Sequence, residues 1–301
     1  MSLTLASSLP VTVRRVRRPP RPPIGAYVLL VPSLVFLGLF TYWPLAQVLM
    51  RSFWTGAGIG VDNYARLFGD EHFTTAVVNN LLYAAGTIVP SLILALAVAV
   101  TLQETTRITL ILRTLFVMPL MIPLVAAAAL FSFVLLPSEG LLDTYLAPLG
   151  LGAANWLGEP SLALPSIIGI TIWKNTGYYM LFFLAGLAAM PQDLLDAARI
   201  DGAGAFARFR HVVLPMLGPT LGFVLPIAAV NALVQVDHVV TLTQGGPSDS
   251  TNLLLYYIYQ QAEQNHDAGL ASSATVLSVA ALLSLAMFSI RATDRRLHHA
   301  S

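Results

Sequence analysis

Residues 191–215 read PQDLLDAARIDGAGAFARFRHVVLP and form a charged stretch between two long apolar segments. Positions 193–202 hold three Asp and one Arg, and each such residue costs about 2.5–3.5 kcal/mol at the centre of a bilayer. The stretch is therefore excluded from the membrane core. Local signals predict two short helices that meet at Gly202, because glycine tolerates the backbone angles of a helix end. Pro191 suits the first position of the first helix, so we expect a helical element at a membrane surface.

The composition of the whole chain is that of a membrane protein. Of its 301 residues, 56% are hydrophobic and only 10% are charged, whereas soluble domains carry roughly 25% charged residues. Most of its apolar stretches exceed the roughly 20 residues that a spanning helix needs; the fifth is shorter and is expected to borrow residues from a flank. We therefore predict an all-α polytopic membrane protein with six transmembrane helices. The apolar stretches are Tyr27–Met50, Val77–Leu102, Ile108–Leu136, Leu164–Leu187, Pro219–Val236 and Leu270–Ile290.

The distribution of arginine predicts how the chain is oriented in the membrane. Arginines cluster in the N-terminal segment, after the second apolar stretch, in residues 191–215 and at the C-terminus. The connections 137–163 and 237–269 contain neither Lys nor Arg. Because cytoplasmic loops carry the excess of positive charge, both termini and the charged loop are predicted to be cytoplasmic.

This pattern divides the chain into four parts. Residues 1–23 are basic and rich in Pro and are expected to form a mobile cytoplasmic lead. Residues 24–74 hold an outer loop and the first transmembrane helix, whose apolar stretch is longer than the 7–15-residue core of a cleaved signal peptide. Residues 75–290 hold the other five helices and the cytoplasmic loop 188–218. Residues 291–301 form a cytoplasmic tail.

Several kinds of chemistry have no residues to support them. The only lysine, Lys174, stands between Trp and Asn, so the chain cannot form a Gly-Lys-Ser/Thr phosphate loop. The absence of Cys excludes disulfides and thiolate metal sites. The His-Glu-x-x-His and Gly-x-Ser-x-Gly patterns of zinc and serine hydrolases are also missing. We therefore expect no catalytic residue, no metal and no cofactor on this chain. The hypothesis that the protein is a membrane hydrolase is disfavoured for the same reason.

The class of transporter depends on where the acidic residues lie. Proton- and sodium-driven carriers usually place carboxylates inside the bilayer. Here all 15 acidic residues fall in loops or at helix ends, and Asp237 is the nearest to a membrane segment. This favours a pore subunit driven by separate ATPase partners, with an ion-coupled secondary carrier as the alternative.

Four polar residues within or directly next to the apolar segments are candidates for a solute path. Lys174 lies mid-way along the fourth segment, where it would contact an anionic solute or meet backbone carbonyls or water at a subunit interface. Asn231, Gln235 and His238 are spaced i, i+4 and i+7, which places them on one face of a helix. That face would hydrogen-bond solute hydroxyls or form interhelical hydrogen bonds of about 0.6 kcal/mol each. Both alternatives remain open at this point.

The charged loop also carries a known motif. The segment DAARIDGA at 196–203, followed by VLP at 213–215, closely resembles the "EAA" signature of permease subunits in bacterial ABC importers. One departure is Asp196, where the family usually has Glu; the charge is kept on a shorter side chain. The resemblance implies that the loop docks on an ATPase through Leu194, Leu195, Asp196, Ala197, Ala198, Asp201, Gly202, Ala203, Leu214 and Pro215.

Two further stretches narrow the resemblance to the carbohydrate branch of these importers. VDNYARLF at 61–68 resembles the first outer loop of carbohydrate-type permeases. LTQGGP at 242–247, with YIY at 257–259 and GLA at 269–271, resembles their last outer loop. The whole chain from 27 to 290 is similar to the first of two permeases in a sugar or glycerol-3-phosphate importer. The loop at Gly245, Gly246 and Pro247 is then expected to face the binding protein.

The resemblance implies a mechanism and a set of partners. An extracytoplasmic solute-binding protein delivers the solute, and this chain forms the path together with a second permease. Two copies of an ABC ATPase subunit bind ATP and magnesium and drive the cycle, so this chain is not itself an enzyme. It is expected to be a multi-pass protein of the cytoplasmic (inner) membrane that contacts the lipid bilayer and no nucleic acid. Sugar, polyol, glycerol-3-phosphate and glycerophosphodiester remain open as solutes.

Overall fold

The computed structural model describes residues 24–297 apart from 57 and 151–153, so the predicted lead 1–23 lies outside the described residues. The described residues divide into two compact units, one that ends at residue 47 and one that begins at residue 48. Its helices and strands are α1 (Ile24–Leu37), α2 (Trp43–Phe53), β1 (Trp54–Thr55), β2 (Gly58–Ile59), α3 (Asp62–Phe68), α4 (Glu71–Thr101), α5 (Arg107–Met121), α6 (Leu124–Val134), α7 (Leu141–Leu146), α8 (Pro160–Ala188), α9 (Gln192–Ile200), α10 (Ala205–Arg208), α11 (Leu214–Met216), α12 (Gly218–Val234), α13 (Asp237–Leu242), α14 (Leu254–Tyr259) and α15 (Ala268–Leu297).

The polytopic helical architecture predicted from the sequence is confirmed. Four helical stretches within the described residues are long and apolar enough to cross a membrane: Val28–Phe53, Glu71–Thr101, Gly218–Leu242 and Ala268–Met287. Two bent helix pairs, α5 with α6 and α8 with α9, raise the number to six when each pair is taken as one span. The fifth span borrows its missing length from its C-terminal flank, as expected. Helix α15 continues beyond Ile290 to Leu297.

The third apolar stretch, Ile108–Leu136, is not one continuous helix as the hydropathy suggested. It forms α5 and α6, whose axes differ by 100° at the break between Met121 and Leu124. The physical reason is Pro123, which has no N–H to continue the hydrogen bonding of α5 and instead stands at the N-cap of α6. Hydropathy gives the length of an apolar segment, but it does not give the direction of the helix axis.

Helices α4 and α8 pack against each other at the centre of the second unit. Their close approach rests on small residues, because alanine and glycine let helix backbones come together in a membrane protein. At this crossing Gly86 of α4 lies against α8, since a Cβ there would stand 2.8 Å from the Ile168 Cδ1 atom. Helix α8 approaches α5 more closely still at Gly177, where a Cβ would overlap the carbonyl oxygen of Phe116. The central buried cluster includes Leu92, Ala95 and Ala99 of α4, Tyr179, Met180 and Phe183 of α8, and Val224 and Ala228 of α12.

The motif at 61–68, which resembles a loop of carbohydrate-type permeases, has a structural role. The buried Asn63 side chain donates to the carbonyl oxygens of Ser52 (3.2 Å) and Trp54 (3.0 Å), which end α2 and begin the β1–β2 hairpin. Gly269 at the start of α15 leaves room for this amide, because a Cβ there would stand 2.7 Å from the Asn63 Oδ1 atom. The motif therefore joins the end of α2 to α3 and α15.

Candidate functional site

The predicted two-helix loop is present, and Gly202 stands at its corner. Helix α9 ends at Ile200, and Gly202 adopts a left-handed φ of 77°. The Gly202 amide donates to the Arg199 carbonyl (3.1 Å) and the Ala203 amide to the Ala198 carbonyl (3.0 Å). This pair of bonds is the Schellman motif, which ends a helix with a glycine. Pro191 precedes the helix in extended conformation and is not its first residue.

The loop presents apolar side chains that the other described residues leave about half or more exposed. Leu194 is 49% exposed, Ile200 85% and Phe206 75%. Leu195 and Ala198, the other apolar residues singled out from the sequence, are half-buried. Ile200 and Phe206 were missed by sequence reasoning, although both flank the glycine corner. Such a surface costs free energy in water, so it is suited to a protein partner.

The departure from the family motif, Asp196, has a local partner. Its carboxylate lies 2.6 Å from the Arg199 guanidinium, three residues later on the exposed side of α9. A pair of opposite charges at this spacing supports a short helix by about 0.2–0.5 kcal/mol. At the far end of the loop, Leu214 and Pro215 are exposed within α11, while Leu217 directly after it is fully buried. Leu217 thereby anchors the loop to the helical core.

A row of polar pairs joins α8 to the segment 231–238, and we call these residues the polar seam. Each pair brings one α8 side chain to one side chain of the opposite segment, in antiparallel order. The Asn231 amide donates to the Tyr179 hydroxyl (3.2 Å), the Asn175 amide donates to the Gln235 amide oxygen (3.1 Å), and the His238 Nε2 atom lies 3.3 Å from the Thr171 hydroxyl. The α8 members, Thr171, Asn175 and Tyr179, recur every four residues and could have been found by that spacing.

One expectation about this row was wrong. Asn231, Gln235 and His238 do not lie on one face of a single helix, because α12 ends at Val234 and Gln235 has an extended ψ of 102°. His238 belongs to the next helix, α13. No proline causes this break; the Gln235 side chain is instead held by α8 through Asn175. Tertiary pairing, rather than helical periodicity, brings the three residues together.

Helix α4 extends the polar seam on its other side. The Tyr83 hydroxyl lies 2.8 Å from the Thr171 hydroxyl and 3.0 Å from the Nε2 atom of the fully buried His238. The His238 Nδ1 atom and the Ser91 hydroxyl are buried without a partner among the described residues. Beside Ser91 lies a narrow cleft that has no room for a water molecule in this conformation. It is lined by Thr87, Ile88, Ser91, Thr171, Asn175, Tyr179, Ala228 and Ala232.

Lys174 does not belong to the polar seam. Its ammonium donates to the carbonyl oxygens of Ile122 (2.5 Å) and Pro119 (3.3 Å) at the break between α5 and α6. The side chain is 7% exposed. The structure therefore places this cation on the carbonyl end of a helix, where the helix dipole favours positive charge.

The loop predicted to lie outside the cytoplasm contains the turn expected at Gly245, Gly246 and Pro247. Gly245 has a φ of 80°, and the Gly246 amide closes the turn on the Thr243 carbonyl (2.9 Å). The loop is tied to the start of α4, because the Asp249 carboxylate lies 2.7 Å from the His72 ring.

Comparison with known proteins decides the family. Residues 91–299 match the family described as the binding-protein-dependent transport system inner membrane component. The chain belongs to this family. It is 31% identical to the probable ABC transporter permease protein YurN of Bacillus subtilis, over 88% of this chain and 94% of that protein. It is 29% identical to the sn-glycerol-3-phosphate transport system permease protein UgpA of Agrobacterium fabrum, over 91% of this chain and 96% of that protein.

A solved structure shares the fold. It is a bacterial alginate ABC transporter in complex with an alginate pentasaccharide-bound periplasmic protein, and the match has a TM-score of 0.81 at 24% identity. The match covers 90% of this chain and 94% of the matched chain. Family membership makes this protein a membrane component of an ABC importer and not an enzyme. The ion-coupled carrier and the membrane hydrolase are thereby set aside.

Proposed function

We propose that this chain is one of two permease subunits of an importer for a carbohydrate-like solute, and that the polar seam lines part of the solute path. The solute is a sugar, glycerol-3-phosphate or a glycerophosphodiester. The observation that carries this proposal is the seam itself. Three side-chain pairs and a narrow cleft lie between helices whose other contacts are largely apolar.

The chemistry of the seam suits a hydroxyl-rich solute. Amide side chains offer both donors and acceptors, and hydroxyl groups do the same. The Ser91 hydroxyl lines the cleft and has no partner among the described residues, so it adds hydrogen-bonding capacity there. A relative named for sn-glycerol-3-phosphate transport and the alginate transporter with the same fold are consistent with this class of solute. The second permease would complete the path.

The cytoplasmic partner is inferred from the exposed apolar loop. We infer that Leu194, Ile200 and Phe206 insert into a cleft on an ABC ATPase subunit, present in two copies that bind ATP and magnesium. The exposed area of these side chains supports this contact, since burying apolar surface contributes roughly 25 cal/mol per Å². With this contact we infer that residues 188–218 and both termini are cytoplasmic and that the protein lies in the inner membrane.

The extracytoplasmic partner is a solute-binding protein that docks on the outer loops. The loop 243–253 carries no Lys or Arg, which supports its outer location, and Ser248 at its tip is exposed. The periplasmic protein bound to the alginate transporter is a precedent in a protein of the same fold.

Labelling of a cysteine at Ser248 tests this orientation. Because the chain contains no Cys, Ser248→Cys introduces a single thiol with little change of shape. We expect a membrane-impermeant maleimide to label it in intact spheroplasts, whereas Gln103→Cys, between α4 and α5, should react only after permeabilisation. The opposite pattern would invert the proposed topology.

The polar seam is tested by Asn231→Leu and Gln235→Leu in the complete importer. The solute is first identified by thermal-shift screening of the purified binding protein against sugars, polyols and sn-glycerol-3-phosphate. We expect each variant to lower ATP-dependent uptake of that solute about tenfold, the effect of losing roughly 1.4 kcal/mol of interaction. The yield of assembled complex should be unchanged, and the solute-stimulated ATPase rate should fall less than uptake.

A packing role of the seam predicts a different pattern. It would reduce complex yield or thermal stability with the concentration dependence of uptake unchanged, and that result would remove both residues from the solute path. Ser284→Leu on α15 is the control for adding leucine to a spanning helix, because Ser284 is exposed and its side chain bonds to its own helix at Ala280.

The energy source is tested in the same uptake assay. Uptake that persists without ATP but stops with an uncoupler would contradict the ATPase-driven mechanism.

A further inference from the structure

One turn of α8 contacts both halves of the bent segment formed by α5 and α6. The Trp173 ring packs edge-on against Phe131 of α6, with ring centroids 5.2 Å apart and planes at 71°. Gly177 admits the backbone of α5 so closely that its Cβ position would overlap the Phe116 carbonyl oxygen. Lys174 stands between these contacts, opposite the break itself.

The break leaves carbonyl oxygens that need a donor. Pro123 supplies no N–H, and the last carbonyls of any helix lack a partner within it. In a membrane such groups must be satisfied inside the protein, because lipid offers no donor. The Lys174 ammonium, with three donors, lies 2.5 Å from the Ile122 carbonyl and 3.3 Å from the Pro119 carbonyl. The Pro119 carbonyl also accepts from the Ile122 amide (3.3 Å), so the Ile122 carbonyl is the group that depends most on Lys174.

The direction of α6 matters for the polar seam. Helix α6 packs against α13, and α13 carries His238, which lies beside Tyr83 and Thr171. A change in the bend would therefore move the support of α13. Lys174 itself lies one residue before Asn175 of the seam, yet its ammonium is directed to the other side of α8, toward the break.

We propose that Lys174 is a positioning residue that fixes the bend between α5 and α6, and through α6 the place of α13 beside the polar seam. Its cation is engaged by the backbone carbonyls of the break and does not serve as a contact for an anionic solute. This role does not depend on which solute is carried.

Distance measurement between α5 and α6 tests the role directly. In the complete importer, spin labels are attached to cysteines at Leu115 and Phe133, which are exposed on the two helices, in a chain with no other Cys. With Lys174 present we expect one narrow distance distribution. Lys174→Met should shift or broaden it, and Lys174→Arg, which keeps a cationic donor, should restore it.

A control variant separates this effect from the general loss of a helix cap. Arg113 caps the end of α4 through the Leu102 carbonyl (2.6 Å), so Arg113→Met removes a cation from carbonyls without touching the break. Its distance distribution should match that of the parent.

Lys174→Gln is the fallback if Lys174→Met does not assemble. Glutamine keeps a donor but has no charge and a shorter side chain, so this variant should broaden the distribution. An unchanged distribution in the folded Met or Gln variant, with or without lower yield, would overturn the proposal.

Discussion

Replacing Gly177 by alanine is expected to prevent most of the protein from accumulating in folded form. A Cβ at this position would overlap the Phe116 carbonyl oxygen and stand 3.1 Å from the Val117 Cα atom. Both are backbone atoms, so no side-chain rotation relieves the overlap, and α5 must move away from α8. Overpacking costs about 1–3 kcal/mol and occasionally more, and here the displacement also pulls the Lys174 ammonium from its carbonyls.

The measurement is the yield of monodisperse complex and its thermal midpoint. A cost of about 3 kcal/mol lowers the midpoint by roughly 6–12 °C for a domain of 150–250 residues. Gly169→Ala is the matched control on the same helix, because its Cβ would meet nothing within 4 Å. Alanine favours a helix over glycine by up to about 1 kcal/mol, so the control should be as stable as the parent or more so. Equal midpoints for the two variants would contradict the observed helix crossing.

Replacing Gly202 by valine is expected to leave the protein folded while lowering uptake about tenfold or more. The left-handed φ of 77° costs a non-glycine residue about 1–2 kcal/mol, and a β-branched side chain is the least tolerant. A Cβ at Gly202 would meet nothing within 4 Å, so the strain is relieved by turning α10 relative to α9. The proposed ATPase contact depends on that angle, since Ile200 and Phe206 lie on either side of it.

The readout is ATPase activity and uptake by the complete importer in liposomes. The valine variant should hydrolyse ATP with a weakened response to the solute-loaded binding protein. Gly204→Val adds the same bulk two residues later, at a φ of −63° that valine accepts, and should transport normally. Gly202→Asp should impair coupling less than Gly202→Val does, because Asp adopts left-handed backbone angles more readily than valine. Normal coupling in the valine variant would mean that this corner does not position the ATPase contact.

The charged loop is the part that local reasoning predicts best. The end of α9 is specified by residues within five positions of one another, from Ala198 to Ala203. Such interactions act in any chain with this local sequence. What local reasoning missed was the exposure of Ile200 and Phe206, because exposure depends on what else in the fold comes near.

The solute path was predicted less completely. Asn231, Gln235 and His238 were identified as polar residues in an apolar segment, but their presumed common helix is interrupted. Their partners on α8 were not identified, although Thr171, Asn175 and Tyr179 have a four-residue spacing that a search for polar periodicity would detect. Tyr83 on α4 is a partner of His238 that lies even farther away in the sequence than the partners on α8.

By itself the sequence determined that this protein is a helical, polytopic membrane protein with a helix–glycine–helix loop, because hydropathy, charge and helix capping act over a few residues. Pro123 is a local cause of the break in the third segment, but only the tertiary structure decided that the break is a 100° bend. It alone decided the partners of Lys174 and Gln235. Those contacts join residues 52 and 60 positions apart. Their existence depends on how α5, α8 and α12 pack, which no local pattern encodes. From the sequence alone, Lys174 could therefore contact either a solute or a backbone carbonyl. The packing of α8 against the break decides for the carbonyl.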